Sequence, residues 1–239
     1  MHRFFTTDIE GNNARITGSD VRHIQRVLRL DIGDAIVVCD GDGRAYNAVI
    51  RSVEEGAVLC HITAPLSTAA EPRCRVTLIQ ALPKSGKMDL IVQKCVELGV
   101  FGILPVQSER CVVQLGEDAE KRRARWQRIA AEAAKQSRRG IVPQVEAVLP
   151  LKGVDFSFYD TVLLAYEEER STTLKSVLRS RGCGDDVALI IGPEGGFSQS
   201  EAAFLVTKGA QPVSLGSRIL RTETAGMAML AQLLYEVED

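Results

Sequence analysis

The chain has 239 residues, 45% of them hydrophobic and 25% charged, with 20 Gly and 8 Pro. That is ordinary for a globular protein with room for one large domain or two smaller ones, and it excludes a largely disordered or collagen-like chain. A formal net charge of −2 gives no global signature of a nucleic-acid binder, so any such affinity must come from local clusters.

The N-terminal "MHRFFTTDIEGNN" has no apolar core of signal-peptide length, and no stretch approaches the ~18 apolar residues of a membrane span. A cytoplasmic protein with no membrane partner is predicted. The six cysteines are irregularly spaced, without a C-x-x-C pair, and most lie in apolar segments such as "VVCD" and "VLCHI". They read as reduced, packed thiols. The one adjacent Cys/His pair, Cys60-His61, falls in an apparent strand whose neighbouring side chains point to opposite faces, so no metal site is predicted.

Residues 1–68 read as a small β-rich domain. It holds one short helical pattern, with Val21, Ile24, Val27 and Leu28 at spacings of three and four. Arg22, Arg26 and Arg29 recur at i, i+4 and i+7, which on a helix places them on one face as a candidate RNA contact. The apolar runs around "DGDG" read as a hairpin, "GAVLCHITA" as a further strand, and "APLSTAAEPR" as a linker. Residues 69–239 alternate between strands and helices. Strands are predicted at "RVTLIQAL", "GILPVQS", "TVLLAYEE", "DVALIIG" and "PVSLG", with helices around 86–98, 118–138, 172–180, 199–209 and 223–237. The fold class is therefore α/β, with a mostly parallel sheet.

Three stretches bear on chemistry. "ALPKSGKM" fails as a phosphate-binding P-loop because Ala81 replaces the first Gly and Met88 the Ser or Thr that would hold magnesium. "KRRARWQRIAAEAAKQSRR", Lys121 to Arg139, carries eight Lys/Arg against one Glu, which favours RNA or another acidic surface; Trp126 within it is expected to pack a helix. "LIIGPEGGFSQSE", Leu189 to Glu201, breaks an apolar strand into a Gly-rich loop before a capping box, Ser198-x-x-Glu201. It lacks dinucleotide-fold spacing, and Glu194 would repel a pyrophosphate, so its glycines suit close backbone approach by a neutral or cationic ligand. "VSLGSRILRTETAGMAML" opens a second loop after a strand. The two loops could form one pocket at the carboxyl edge of a sheet.

These residues resemble a known family. "HIQRVLRLDIGD", "DGDGRAYNAVI", "LPKSGKMDLIVQKCVELGV", "RWQRIAAEAAKQSRR", "IIGPEGGFSQSE" and "SLGSRILRTETA" are similar, in order and spacing, to ribosomal RNA uridine-N3 methyltransferases of the RsmE type, in the SPOUT superfamily. The resemblance implies a PUA-like N-terminal barrel that helps bind RNA, and a SPOUT domain whose C-terminal end makes a trefoil knot. It implies S-adenosylmethionine as cofactor, held largely by backbone groups, with Ile191, Gly192, Gly196, Leu215, Gly216, Ile219 and Leu220 as its walls. It also implies a homodimer, and small-subunit ribosomal RNA or the assembled 30S subunit as partner.

Methylating N3 of uridine requires loss of the N3 proton, so a group must accept it or stabilise the anion. Glu223 and Glu194 are the acidic candidates, and Arg218 and Arg221 could hold charge on uracil oxygens or a phosphate. Arg221 and Glu223 are the first choices for catalysis, against the alternative that they pair with each other or cap the last helix. Arg22, Arg26, Arg29, Arg138, Arg139 and Arg218 are the expected RNA contacts. Two other readings stay open: a SPOUT enzyme for another RNA, such as transfer RNA, and a noncatalytic RNA-binding or assembly factor.

Overall fold

The computed structural model describes residues 1–67, 70–84, 86–113 and 118–238. The chain divides into two compact units, Met1–Glu71 with Ala134–Val142, and Pro72–Ala133 with Pro143–Asp239. The predicted boundary between residues 68 and 69 lies outside the described residues. The division is discontinuous, whereas the sequence suggested two contiguous domains. Residues 134–142 join the first unit through a buried ion pair: the Glu71 carboxylate accepts from the Arg139 guanidinium at 2.7 Å and from the backbone N–H groups of Gly140 and Ile141 at 2.9 and 3.2 Å. Lys135 pairs with Asp20 at 2.7 Å, and Arg3 donates to the Arg139 carbonyl at 2.9 Å.

In the first unit, β1 (Arg3–Phe5), β2 (Ile9–Glu10), β3 (Asn13–Thr17), β4 (Ala35–Cys39), β5 (Ala45–Glu54) and β6 (Ala57–Leu66) make one sheet in the order β1-β4-β5-β6-β3-β2. Among the described residues, the β1–β4 pairing of these strands is parallel and the others are antiparallel. Register shifts at Asn47/Ala48 and Ile50/Ser52 mark bulges, which bend a sheet over its core. The hairpin forms as expected, with Asp40 Oδ1 accepting from the N–H groups of Asp42 and Arg44. The supposed linker starts too early, since Ala64, Pro65 and Leu66 belong to β6. Pro65 is tolerated there because β3 pairs only residues 57–61 of that strand, leaving its far half an edge.

The helical pattern also differs from expectation. An α-turn, α1 (Ser19–Arg22), passes into a π-helical segment, His23–Leu28. Its wider i→i+5 winding changes which residues share a face. Val21 and Ile24 are buried, but Val27 is 66% exposed, and Arg29 lies beyond the helix with a left-handed φ of 54°. Arg22, Arg26 and Arg29 are all exposed, though they do not form the single regular stripe that their spacing predicted.

The second unit contains β7 (Arg75–Ala81), α2 (Lys87–Glu97), β8 (Gly102–Gln107), most of α3 (Ala119–Gln136), β9 (Gln144–Val145), β10 (Leu149–Pro150), β11 (Thr161–Ala165), α4 (Leu174–Arg181), β12 (Asp186–Ile191), α5 (Gln199–Thr207), β13 (Gln211–Val213) and α6 (Thr222–Val237). Its sheet order is β10-β8-β7-β12-β11-β13, with β9 also on β8, and every pairing is parallel. Such strands are covered on both faces and read as unbroken apolar runs, as "VALII" does. Ile79, Leu104, Leu164 and Ile190 pack with Leu151, Phe156, Phe197 and Leu205 on one side, while α6 packs on β7, β12, α2 and α4. Five of the six cysteines are buried, and Trp126 is packed at 5% exposure. Among the described residues, no helix is long and apolar enough to cross a membrane.

Candidate cofactor and active site

Three neighbouring strands, β12, β11 and β13, end on the same side of the second unit's sheet. The segments that follow them line one cavity of 420 Å³, within the usual range for small-molecule sites. Tyr166 and Glu167 come from beyond β11, Ile191 to Glu194 and Gly196 from the end of β12, and Ser214 to Gly216 and Arg218 to Thr222 from beyond β13. All seven residues expected to wall the cofactor, Ile191, Gly192, Gly196, Leu215, Gly216, Ile219 and Leu220, line this cavity, as do Arg218, Arg221 and Glu194. Sequence spacing could not have brought them together. Parallel strand pairing does.

The Gly-rich loop needs its glycines for conformation. Gly196 has φ +66°, where any Cβ is strained and would overlap Glu167 Oε1, and Gly216 has φ +115°. The loop ends in the expected capping box, in which Ser198 and Glu201 exchange hydrogen bonds at the start of α5. A second anchor was not foreseen. Buried Gln80 donates to Thr222 Oγ1 at 3.0 Å, and Thr222 in turn donates to the Gly192 carbonyl at 2.6 Å. This relay ties the first cavity loop to the first turn of α6.

The charged side of the cavity is organised by Lys87, in the first turn of α2. Its Nζ lies 2.9 Å from Glu194 Oε1 and 3.1 Å from Glu223 Oε2. Glu194 also accepts from the Lys84 N–H at 3.1 Å, so the charge of the acid inside the Gly-rich loop is offset by groups of the chain itself. Lys87 is held protonated above its usual range by its bonds to Glu194 and Glu223. Burial pushes the Glu223 carboxyl up, but its own N–H, Lys87 and Arg221 outweigh that and leave it below the usual range. Glu194 behaves likewise, with Lys87 and the backbone N–H groups of Glu194 and Lys84 overcoming burial.

Arg221 stands at the N-cap of α6 without a side-chain cap bond, while its carbonyl accepts from Thr224 and Ala225. The ion-pair partner of Glu223 is therefore Lys87 rather than Arg221. Lys87 was legible in "LPKSGKM" only as part of a failed P-loop. Nothing in that stretch signals two carboxylates more than a hundred positions away.

The arginine set separates. Arg22, Arg26, Arg29, Arg138 and Arg218 are exposed. Arg139 is not: its side chain is 2% exposed and paired with Glu71, so it corrects the expectation of an RNA contact. The basic run is also partly neutralised by the fold, through Arg123 with Glu120, Arg125 with Asp89, and Lys135 with Asp20.

Residues 70–234 match the family model described as an RNA methyltransferase domain, and residues 16–63 match an RNA methyltransferase PUA domain. The ribosomal RNA small subunit methyltransferase E of Bacillus subtilis is 35% identical over 230 residues, covering 93% of this chain and 90% of that protein. The chain belongs to the ribosomal RNA small subunit methyltransferase E family. The family likeness extends to the whole fold. The crystal structure of a ribosomal RNA small subunit methyltransferase E from Neisseria gonorrhoeae bound to S-adenosyl methionine aligns with a TM-score of 0.87 and 34% identity, covering 98% of this chain and 97% of that one. A putative methyltransferase from Legionella pneumophila, in complex with the bound cofactor SAM, aligns with the same TM-score at 31% identity, covering 98% and 96%. The parallel unit is thus the family's methyltransferase domain and the bent sheet its PUA domain.

Proposed function

We propose that this protein transfers a methyl group from S-adenosylmethionine to N3 of one uridine in small-subunit ribosomal RNA, in the cytoplasm. The observation that carries the reading is the cavity built from the two loops after β12 and β13, with apolar walls, glycines in positive-φ conformations and carboxylates beside it. Its chemistry fits the cofactor. Ile191, Leu215, Ile219 and Leu220 with the peptide groups of Gly192, Gly196 and Gly216 suit an adenosine, and Glu167 and Glu194 on the same wall tolerate a sulfonium. The bound group supplies an electrophilic methyl. This chain's part is to hold the reacting centres in line, a contribution of about 7–11 kcal/mol in favourable cases, and to take the N3 proton, with Glu223 as acceptor and Arg221 or Arg218 holding uracil oxygens or a phosphate.

Gly196→Ala tests the loop. The left-handed backbone is expected to cost about 1–2 kcal/mol in denaturant unfolding, and S-adenosylmethionine affinity, read by calorimetry, is expected to fall with it. Unchanged affinity would remove Gly196 from the cofactor wall.

Arg22, Arg26, Arg29 and Arg138 are proposed to contact RNA backbone. Reversing the charges at Arg22, Arg26 and Arg29 is expected to weaken RNA binding and to flatten its log–log salt slope by roughly 0.7–0.9 for each phosphate that is no longer neutralised. A slope equal to that of the unaltered protein would exclude this face. A homodimer is proposed because Ile219, on the cavity wall, and Tyr235, on α6, are 81% and 85% exposed, apolar surface that a second copy would cover. Light scattering that returned a monomer would end that part of the reading.

The deciding experiment incubates the protein with labelled S-adenosylmethionine and, separately, naked small-subunit RNA, unmodified 30S subunits and bulk transfer RNA. Products are mapped by reverse-transcription stops and nucleoside mass analysis. One stop in small-subunit RNA with 3-methyluridine recovered is the expected result. Label in transfer RNA alone would move the protein to another substrate, and binding without transfer to any of the three would point to a noncatalytic factor.

A further inference from the structure

Lys87 reaches the cavity from beyond the carboxyl end of β7, a strand that supplies none of the expected cofactor walls. Its ammonium sits between two acids from distant parts of the chain, 2.9 Å from Glu194 Oε1 and 3.1 Å from Glu223 Oε2. Apart from Lys87, this buried Glu223 oxygen has no partner among the described residues. Resting on the uridine-N3 reading above, we propose that Lys87 is a catalytic residue: its ammonium binds a ring carbonyl oxygen of the target uracil and holds the negative charge that develops as the N3 proton passes to Glu223.

The chemistry of the imide makes this placement follow from the ion pair. N3–H of uracil lies between two carbonyls, so a base seated with N3–H on the Glu223 carboxylate brings one carbonyl oxygen beside whatever cation adjoins that carboxylate. Lys87 is that cation. An ammonium has three donors, and two neighbouring carboxylates leave the third for the base. In the proton transfer the N3–H bond breaks, the proton joins a Glu223 oxygen, and the electron pair stays on the ring, shared by N3 and its two flanking oxygens. A fixed cation in a partly desolvated recess stabilises such charge without reorganising.

Besides Lys87, the charged groups that line the cavity are Arg218, Arg221, Glu167 and Glu194; Glu223 is not itself on the lining and adjoins it through Lys87 and its neighbour Thr222. Both arginines are exposed, whereas the Lys87 side chain is 30% exposed and touches both acids. The need for a stabilising cation is reinforced by the acidity of Glu223, which its own N–H, Lys87 and Arg221 hold below the usual range despite burial. So acidic a carboxylate is a weak acceptor for an imide proton unless the resulting anion is stabilised.

The test compares the unaltered protein with Lys87→Met and Lys87→Arg on RNA carrying uridine or 5-fluorouridine at the mapped position, since fluorine makes N3–H more acidic. Lys87→Met is expected to slow methylation of uridine by on the order of 10²–10³-fold with S-adenosylmethionine affinity unchanged. 5-Fluorouridine is expected to recover much of that loss, and Lys87→Arg to retain more activity than Lys87→Met. Without cofactor, the fluorine resonance of bound 5-fluorouridine RNA is expected to move between the unaltered protein and Lys87→Met. An unaffected rate, an equal loss on both RNAs, an unmoved resonance or a lost cofactor affinity would each overturn the role. Should Lys87→Met not fold, Lys87→Gln is read the same way. If the unaltered protein makes no 3-methyluridine, the underlying reading fails; if it does and the variants behave alike, only the role of Lys87 fails.

Discussion

Glu223→Gln is expected to slow methyl transfer by on the order of 10²–10⁴-fold while leaving S-adenosylmethionine affinity close to that of the unaltered protein. The amide keeps the size and packing of a side chain that is 14% exposed, but it cannot take the N3 proton. Lys87 retains Glu194 as partner, so the substitution does not strand a cation. Rate and affinity must be measured separately, because a residue of the cofactor wall would change both. Turnover within a few-fold of the unaltered protein would remove Glu223 as the acceptor and leave Glu194, held by Lys87 and the Lys84 N–H, as the remaining acid beside it.

The pH dependence follows from the same contacts. Burial raises the Glu223 carboxyl, and its own N–H, Lys87 and Arg221 lower it further than burial raises it. A depressed pKa means that the ionised acceptor persists above the ordinary glutamate value of about 4.3 and is lost only as pH falls below it. The acidic limb of the rate profile is therefore expected below that value, with Lys87, Glu194, Arg218, Arg221 and Glu167 the charged groups that face the site. A limb near neutrality would implicate another group.

Arg139→Ala is expected to destabilise the first unit by about 3–5 kcal/mol, because removing one partner of a buried pair leaves the other charge uncompensated. The Arg139 and Glu71 side chains are 2% and 17% exposed, and Glu71 also accepts the backbone N–H groups of Gly140 and Ile141. Losing the guanidinium thus loosens the link that holds residues 134–142 in that unit. The neighbouring Arg138→Ala serves as the contrast. Arg138 is exposed, so its removal is expected to change stability by no more than about 0.5 kcal/mol while weakening RNA binding. Denaturant unfolding with parallel RNA titration checks both. If Arg139→Ala left stability intact and weakened RNA binding alone, Arg139 would be an RNA contact after all.

The contrast between these adjacent arginines shows where local pattern stops being informative. Both stand in one basic run, "KQSRR", and charge clustering treats them alike. Arg138 takes a left-handed φ of 62°, and the chain turns so that its neighbour points inward to Glu71. Val27 fails for a related reason. The spacing of Val21, Ile24, Val27 and Leu28 assumes one winding, and the π-helical segment changes it within a single turn. The strands, by contrast, were legible because parallel strands covered on both faces must be continuous apolar runs. The helix start at Ser198 was legible because a capping box is satisfied within four residues.

For this protein, what the sequence determined by itself was whatever neighbours along the chain decide: the α/β alternation, the helix starts, the two loops that need glycine, and through its family motifs the kind of chemistry. Only the tertiary structure decided which distant groups meet. Lys87 with Glu194 and Glu223, Gln80 with Thr222 and Gly192, and Glu71 with Arg139 are each joined across tens to more than a hundred residues. Periodicity specifies the face a side chain presents, but strand order and register choose the partner that face receives.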